Sequence, residues 1–158
     1  TGNPEEGELR PQLLDRFGMS VEVKTPNDLR CRIEVVRRRD EFDSDTAAFT
    51  ATWAKEETKL RKGITSARER LPSVAVPDAS LERAARLCMA LGTDGLRGEL
   101  TLMRAARALA ALEGKKAVGD EHLRRVAPSA LRHRLRRNPL DDAGSSVRVD
   151  RAIAEVLG

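Results

Sequence analysis

A chain of 158 residues with 40% hydrophobic side chains is long enough to bury one core, and no apolar run nears the roughly 18 residues that would cross a bilayer. The formal charge is +4, yet 23 arginines stand against 6 lysines; GC-rich coding accounts for most of that excess, so only arginines in special local settings point to phosphate or carboxylate contacts. Aromatic content of 3% with no Tyr argues against a stacking surface for single-stranded nucleic acid, which needs exposed rings among basic residues.

The first 18 residues read as a turn followed by a short helix. Asn3-Pro4-Glu5-Glu6-Gly7 forms the turn, Pro11 sits near the helix start where its missing N–H costs nothing, and Gly18 stops it. Ser20-Val21-Glu22-Val23-Lys24-Thr25 alternates with the period of a strand, the only convincing one. Pro26-Asn27-Asp28 caps a helix from about 28 to 42 with an apolar stripe of Leu29, Ile33 and Val36, flanked by Val35, beside Arg30 and Arg37 to Arg39. A second long helix is expected from about 46 to 71, with Phe49, Trp53, Leu60 and Ile64 at helical intervals.

The Pro72 to Pro77 segment breaks the pattern, and Ser80 starts a helix to Leu91 with Leu81, Ala84, Ala85, Cys88 and Leu91 inward. After Gly92-Thr93-Asp94-Gly95 comes the strongest amphipathic stretch, about 96 to 113, with Leu96, Leu100, Leu102, Met103, Ala106, Leu109 and Ala110 on one side. Asp120 opens a helix toward Leu135 in which Pro128 marks a kink or an end, and a short helix from about 147 to 157 closes the chain. Cys31 and Cys88 lie in helical patterns without a CxxC or Cys/His spacing, so reduced, buried or inert cysteines are expected. His122 and His133 lack acidic companions at metal-ligand spacing and read as solvated or capping side chains. A lone strand leaves both hydrogen-bonding edges unpaired, which implies that a sheet lies upstream in a longer protein.

The string Asn3-Pro4-Glu5-Glu6-Gly7-Glu8-Leu9-Arg10-Pro11-Gln12-Leu13-Leu14-Asp15-Arg16-Phe17-Gly18, the strand Val21 to Lys24, and the runs Leu96 to Leu102 and Ala130 to Arg137 together resemble one family. It is the ATPase (I) subunit of magnesium chelatase, within the AAA+ proteins. The resemblance implies a mostly α fold. Residues 1–26 would be the end of an α/β nucleotide-binding core, with sensor 1, arginine finger and last strand. Residues 27–75 would be connecting long helices, and 76–158 a helical lid carrying sensor 2. It further implies an ATP-hydrolysing motor that drives Mg²⁺ insertion into protoporphyrin IX in (bacterio)chlorophyll biosynthesis. ATP and Mg²⁺ would be held mainly by the upstream core. A homo-oligomeric ring, expected as a hexamer, would work with chelatase D and H subunits in the cytoplasm, with no nucleic-acid partner and no membrane span.

Residue by residue, the resemblance makes Asn3 the sensor 1 amide that orients the attacking water. Arg16 becomes the arginine finger reaching a neighbouring subunit's site, and Arg97 the sensor 2 contact to the nucleotide of its own subunit. A guanidinium supplied in trans can stabilise charge on the transferring phosphoryl group and so tie hydrolysis to ring assembly. The residues alone leave alternatives: Asn3 as a plain turn residue, Arg10 in place of Arg16, and Arg104, seven positions on and nearly on the same helix face, in place of Arg97. No GxxxxGK[ST] loop and no apolar run ending in paired acids is present, so this chain alone is expected not to hydrolyse ATP. The alternatives in function are a cobalt-chelation relative, a basic helical nucleic-acid-binding module, testable by its salt dependence, and a scaffold with a dead ATP site.

Overall fold

The computed structural model describes residues 11–93, 95–135 and 145–158. Asn3 and Arg10, and with them the sensor 1 assignment and the competing finger, lie outside the described residues. Seven α-helices follow in chain order: α1 (Pro11–Leu14), α2 (Leu29–Ser44), α3 (Thr46–Arg70), α4 (Asp78–Leu91), α5 (Arg97–Leu112), α6 (Asp120–Leu131) and α7 (Ser145–Leu157). Short 3-10 turns occupy Leu71–Ser73 and Arg132–Arg134. The chain divides into two compact units, one of residues 1–21 with 67–158 and one of residues 22–66.

The core of the first unit is built by α4 to α7. Leu87, Leu102, Leu123, Leu131 and Val149 are fully buried there, with Ala84, Ala106, Ala110, Ala127 and Ala130 letting the helices approach closely. The inward face of α4 is Ser80, Ala84, Leu87, Cys88 and Leu91, a 3.6-residue period; Leu81, expected inward, is exposed. In α5 the buried face is Gly98, Leu102, Met103, Ala106, Ala110 and Ala111, while Leu96 and Leu100, expected inward, are exposed. Small residues, Gly98, Ala106, Ala110 and Ala111, share the inward face of α5 with Leu102 and Met103, and Leu96 and Leu100 fall off it.

Helix ends follow local chemistry. Asp28 caps α2 by accepting the Cys31 N–H at 2.8 Å. The α4 helix begins at Asp78, two residues before the expected Ser80, whose hydroxyl is instead buried and donates to the Val118 carbonyl at 3.0 Å. Gly92 ends α4 with φ +65°, a left-handed conformation that other residues adopt at a cost. Pro128 sits inside α6, and three residues later the α-helix gives way to the 3-10 turn. His122 is 1% exposed, so the solvated alternative is wrong for it; its Nδ1 accepts the Gly119 N–H at 2.9 Å and caps α6.

The alternating segment 20–25 does not form a strand. Residues 19–28 are irregular and Val23 is 92% exposed. Alternation sorts side chains to two faces but supplies no neighbour for the backbone groups, and the described residues offer no strand beside it. The extended pairing that does occur among them is an isolated parallel bridge, Ala75 with Ala117, made by Ala75 N–H to Lys116 O at 2.9 Å and Val118 N–H to Ala75 O at 3.0 Å.

In the second unit α2 buries no residue. Leu29, Ile33, Val35 and Val36 are exposed, so the expected apolar stripe exists on the helix but packs on nothing within the unit. A small aromatic group joins its two helices: Phe42 meets Phe49 edge-on at 5.7 Å between centroids, Phe49 meets Trp53 at 6.1 Å, and the Arg38 guanidinium lies 4.4 Å from the Trp53 ring centroid.

Candidate functional site

The residues around the proposed finger assemble within the first unit from three elements that are far apart in sequence. After α1 the chain turns at Asp15 and Arg16; the Arg16 and Phe17 N–H groups bond back to the Leu13 and Leu14 carbonyls at 3.0 Å each. Such a turn leaves carbonyls past the helix end without intrahelical donors. Those of Asp15 and Phe17 are met by arginine and histidine side chains from later in the chain.

Arg97, in the first turn of α5, donates to the Asp15 Oδ2 and to the Asp15 carbonyl at 3.3 Å. Arg134, at the end of the 3-10 turn after α6, donates to Asp15 Oδ1 and to the Asp15 carbonyl at 2.9 Å. Its second amino group donates to the Phe17 carbonyl at 2.7 Å. His133 Nε2 lies 3.0 Å from the same Phe17 oxygen. Burial, foremost, lowers the pKa of the His133 imidazole below its ordinary 6.5, so the ring is held toward its neutral form. Further along, the Ser20 N–H bonds the Ser129 carbonyl of α6 at 2.8 Å.

Between these contacts Arg16 is exposed, and its guanidinium has no hydrogen bond or ion pair to a described residue. Its backbone is fixed on both sides while its five donors remain open, an arrangement fit for anionic oxygens. Arg104 is likewise exposed and lies two turns along α5 from Arg97, away from the Asp15 contacts. Of the two sensor 2 candidates, Arg97 is the one brought to the finger loop. Its tie to Asp15 joins a half-exposed pair.

Sequence reading singled out Arg16 and Arg97 but not Asp15 or Arg134. Asp15 was visible as the residue before the finger; Arg134 was hidden in the Arg132-His133-Arg134 run, which looks like an ordinary basic surface. Among the described residues no three His, Cys, Asp or Glu side chains converge as a metal cage. The exposed Arg16 guanidinium carries donors only, a chemistry suited to phosphate oxygens and not to a magnesium ion. No helix among them is long and apolar enough to cross a membrane.

Residues 81–155 match the AAA lid domain. The chain is 61% identical over 157 residues to the magnesium-chelatase 38 kDa subunit of Rhodobacter capsulatus, covering 99% of this chain and 45% of that protein. It is 65% identical to the protein of the same name from Acidiphilium rubrum, with 99% and 46% covered. Against the chloroplastic magnesium-chelatase subunit ChlI-1 of Arabidopsis thaliana it is 46% identical, with 99% and 37% covered. The chain thus spans a little under half the length of the relatives it matches. The chain is similar along nearly its whole length to magnesium-chelatase 38 kDa subunits, and its residues 81–155 match the AAA lid domain.

Proposed function

We propose that this chain is the finger-and-lid portion of a ring-forming AAA+ ATPase that drives insertion of Mg²⁺ into protoporphyrin IX, with Mg²⁺ as cargo. The single observation that carries the mechanistic part is the exposed Arg16, without a side-chain partner among the described residues and flanked by backbone held through Arg97 and Arg134. In a cytoplasmic ring, expected as a hexamer, Arg16 extends from one subunit to the nucleotide of its neighbour and neutralises charge gathering on the transferred phosphoryl group. Bound ATP supplies the phosphoryl group whose hydrolysis powers the cycle, its magnesium held by the upstream core. Asn3 orients the water. Chelatase D and H subunits receive the work of the ring, the H subunit holding the porphyrin.

The resemblance assigned Arg97 to the nucleotide of its own subunit. Its ion pair with Asp15 favours a different arrangement, because a residue bonded one position from the finger travels with the finger. We therefore assign Arg97 to the same nucleotide that Arg16 reaches, exchanging the Asp15 carboxylate for a phosphate oxygen.

Mixed rings test both statements. Full-length Arg16→Ala protein has an intact phosphate loop, and a full-length phosphate-loop lysine variant has an intact finger. Mixing two inactive proteins is expected to restore ATPase activity at interfaces that pair the two intact parts. Absence of recovery at every ratio removes the trans role of Arg16. Arg97→Ala in the same mixture is expected to recover as well, whereas a residue serving its own subunit leaves no intact site and gives none.

A further inference from the structure

The Arg134 side chain is 4% exposed. Its Nε donates to the Ala130 carbonyl at 3.0 Å, which fixes the guanidinium plane on the end of α6. Both amino groups then turn to a segment 116 to 119 residues away. One serves Asp15, at the carboxylate and at the carbonyl 2.9 Å away. The other serves the Phe17 carbonyl at 2.7 Å, with longer approaches to Gly18 O at 3.4 Å and Thr101 Oγ1 at 3.5 Å. The residue passed over is Arg16.

Burying a guanidinium is costly, and apolar side chains of similar volume fill a gap between helices at least as well. What they cannot do is hold two carbonyls and a carboxylate at fixed angles, which the planar fork does. We propose that Arg134 is the positioning residue of the finger: it clamps the main chain on either side of Arg16 and so sets where the Arg16 guanidinium stands. This rests on the reading of Arg16 as a finger acting in trans. The lid end of α6 thereby becomes part of the hydrolytic apparatus of the neighbouring subunit without touching its nucleotide.

The experiment uses the full-length protein with Arg134→Ala and Arg134→Lys, beside Arg16→Ala. A displaced catalytic group costs on the order of 10²-fold in rate, so Arg134→Ala is expected to lose about that much kcat while KM for ATP stays within a factor of about two. Arg134→Lys, a single point donor that cannot span Asp15 and Phe17 together, is expected to fall between Arg134→Ala and the parent. Mixed with the phosphate-loop variant, Arg134→Ala is expected to recover activity as Arg16→Ala does, because its own nucleotide site receives an intact finger from the neighbour. A merely structural role predicts otherwise: loss in both settings, together with a lowered melting temperature for Arg134→Ala and normal turnover for any Arg134→Lys that remains folded. If Arg16→Ala is inactive and recovers in mixtures while both Arg134 variants turn over normally, the positioning role is overturned and the finger stands. If Arg16→Ala itself keeps full activity, the finger reading fails first.

Discussion

The two thiols and the His133 imidazole give residue-level tests that do not depend on the ring. Cys88 is buried against Gly98, and desolvation, with the Glu99 carboxylate adding to it and a Thr93 hydrogen bond opposing, pushes its pKa up to about 12. A thiol reacts through its thiolate, so native protein treated with a maleimide at pH 8 is expected to carry one adduct, on the exposed Cys31, and to gain a second on unfolding. Equal labelling of both in native protein contradicts the burial. His133 makes the opposite kind of statement. Burial lowers its folded pKa, Arg134 assists, and the Phe17 carbonyl and Asp15 oppose. As pH falls below 6.5 the unfolded chain takes up the proton first, so this side chain favours folding above that pH and ever less below it. Its ring protons in an NMR titration should move at a pH below 6.5, and a midpoint at or above that value would mean the ring is not held neutral.

At the scale of elements, the helices were legible because each carries its own punctuation. Asp28, Gly92 and the Pro72 to Pro77 break gave ends within a few residues of those observed, and periodicity in 78–91 and 97–112 gave helices of the right length. Faces were less legible. At Gly98 a Cβ would come within 3.3 Å of Thr93 Oγ1, 3.4 Å of Cys88 Sγ and 3.5 Å of Leu131 Cδ2, so α5 meets α4 and the end of α6 at a residue with no side chain. A hydrophobicity pattern cannot register such a contact. Gly98→Val overfills it, and a loss of about 1–3 kcal/mol in denaturant unfolding of the lid is expected; an unchanged midpoint would show that the helices part easily there. The strand failed for the complementary reason. Its two-residue period was real, but a strand is a relation between two segments, and residues 20–25 have no second one beside them among the described residues. The Asp15 contacts were invisible for the same reason, since nothing in a one-dimensional pattern ties residue 15 to residues 97 and 134.

The whole molecule divides its burial unequally. Every buried apolar side chain among the described residues belongs to the unit containing 67–158, whereas residues 22–66 contribute none to the core and rely on one aromatic group and on exposed ion pairs such as Arg38 with Glu34 and Arg39 with Asp43. Exposed pairs of that kind add roughly 0–1 kcal/mol each. Amide exchange is therefore expected to be fast throughout α2 and slow in the middle of α4, α5 and α6. Leu87→Ala, which empties a fully buried position, is expected to lower stability of that slow region by about 2–5 kcal/mol and to leave exchange in α2 unchanged. Uniform protection across both units would contradict the division.

The bridge between Ala75 and Ala117 has a kinetic meaning. Its two hydrogen bonds close a loop that contains all of α4 and α5, so it can form only after the chain has closed over those helices, against a loop-closure entropy that grows with the logarithm of loop length. The bridge is then a late event in folding: substitutions that weaken it should speed unfolding while leaving the folding rate nearly untouched. The lid would fold around its helices first and be tied shut afterwards.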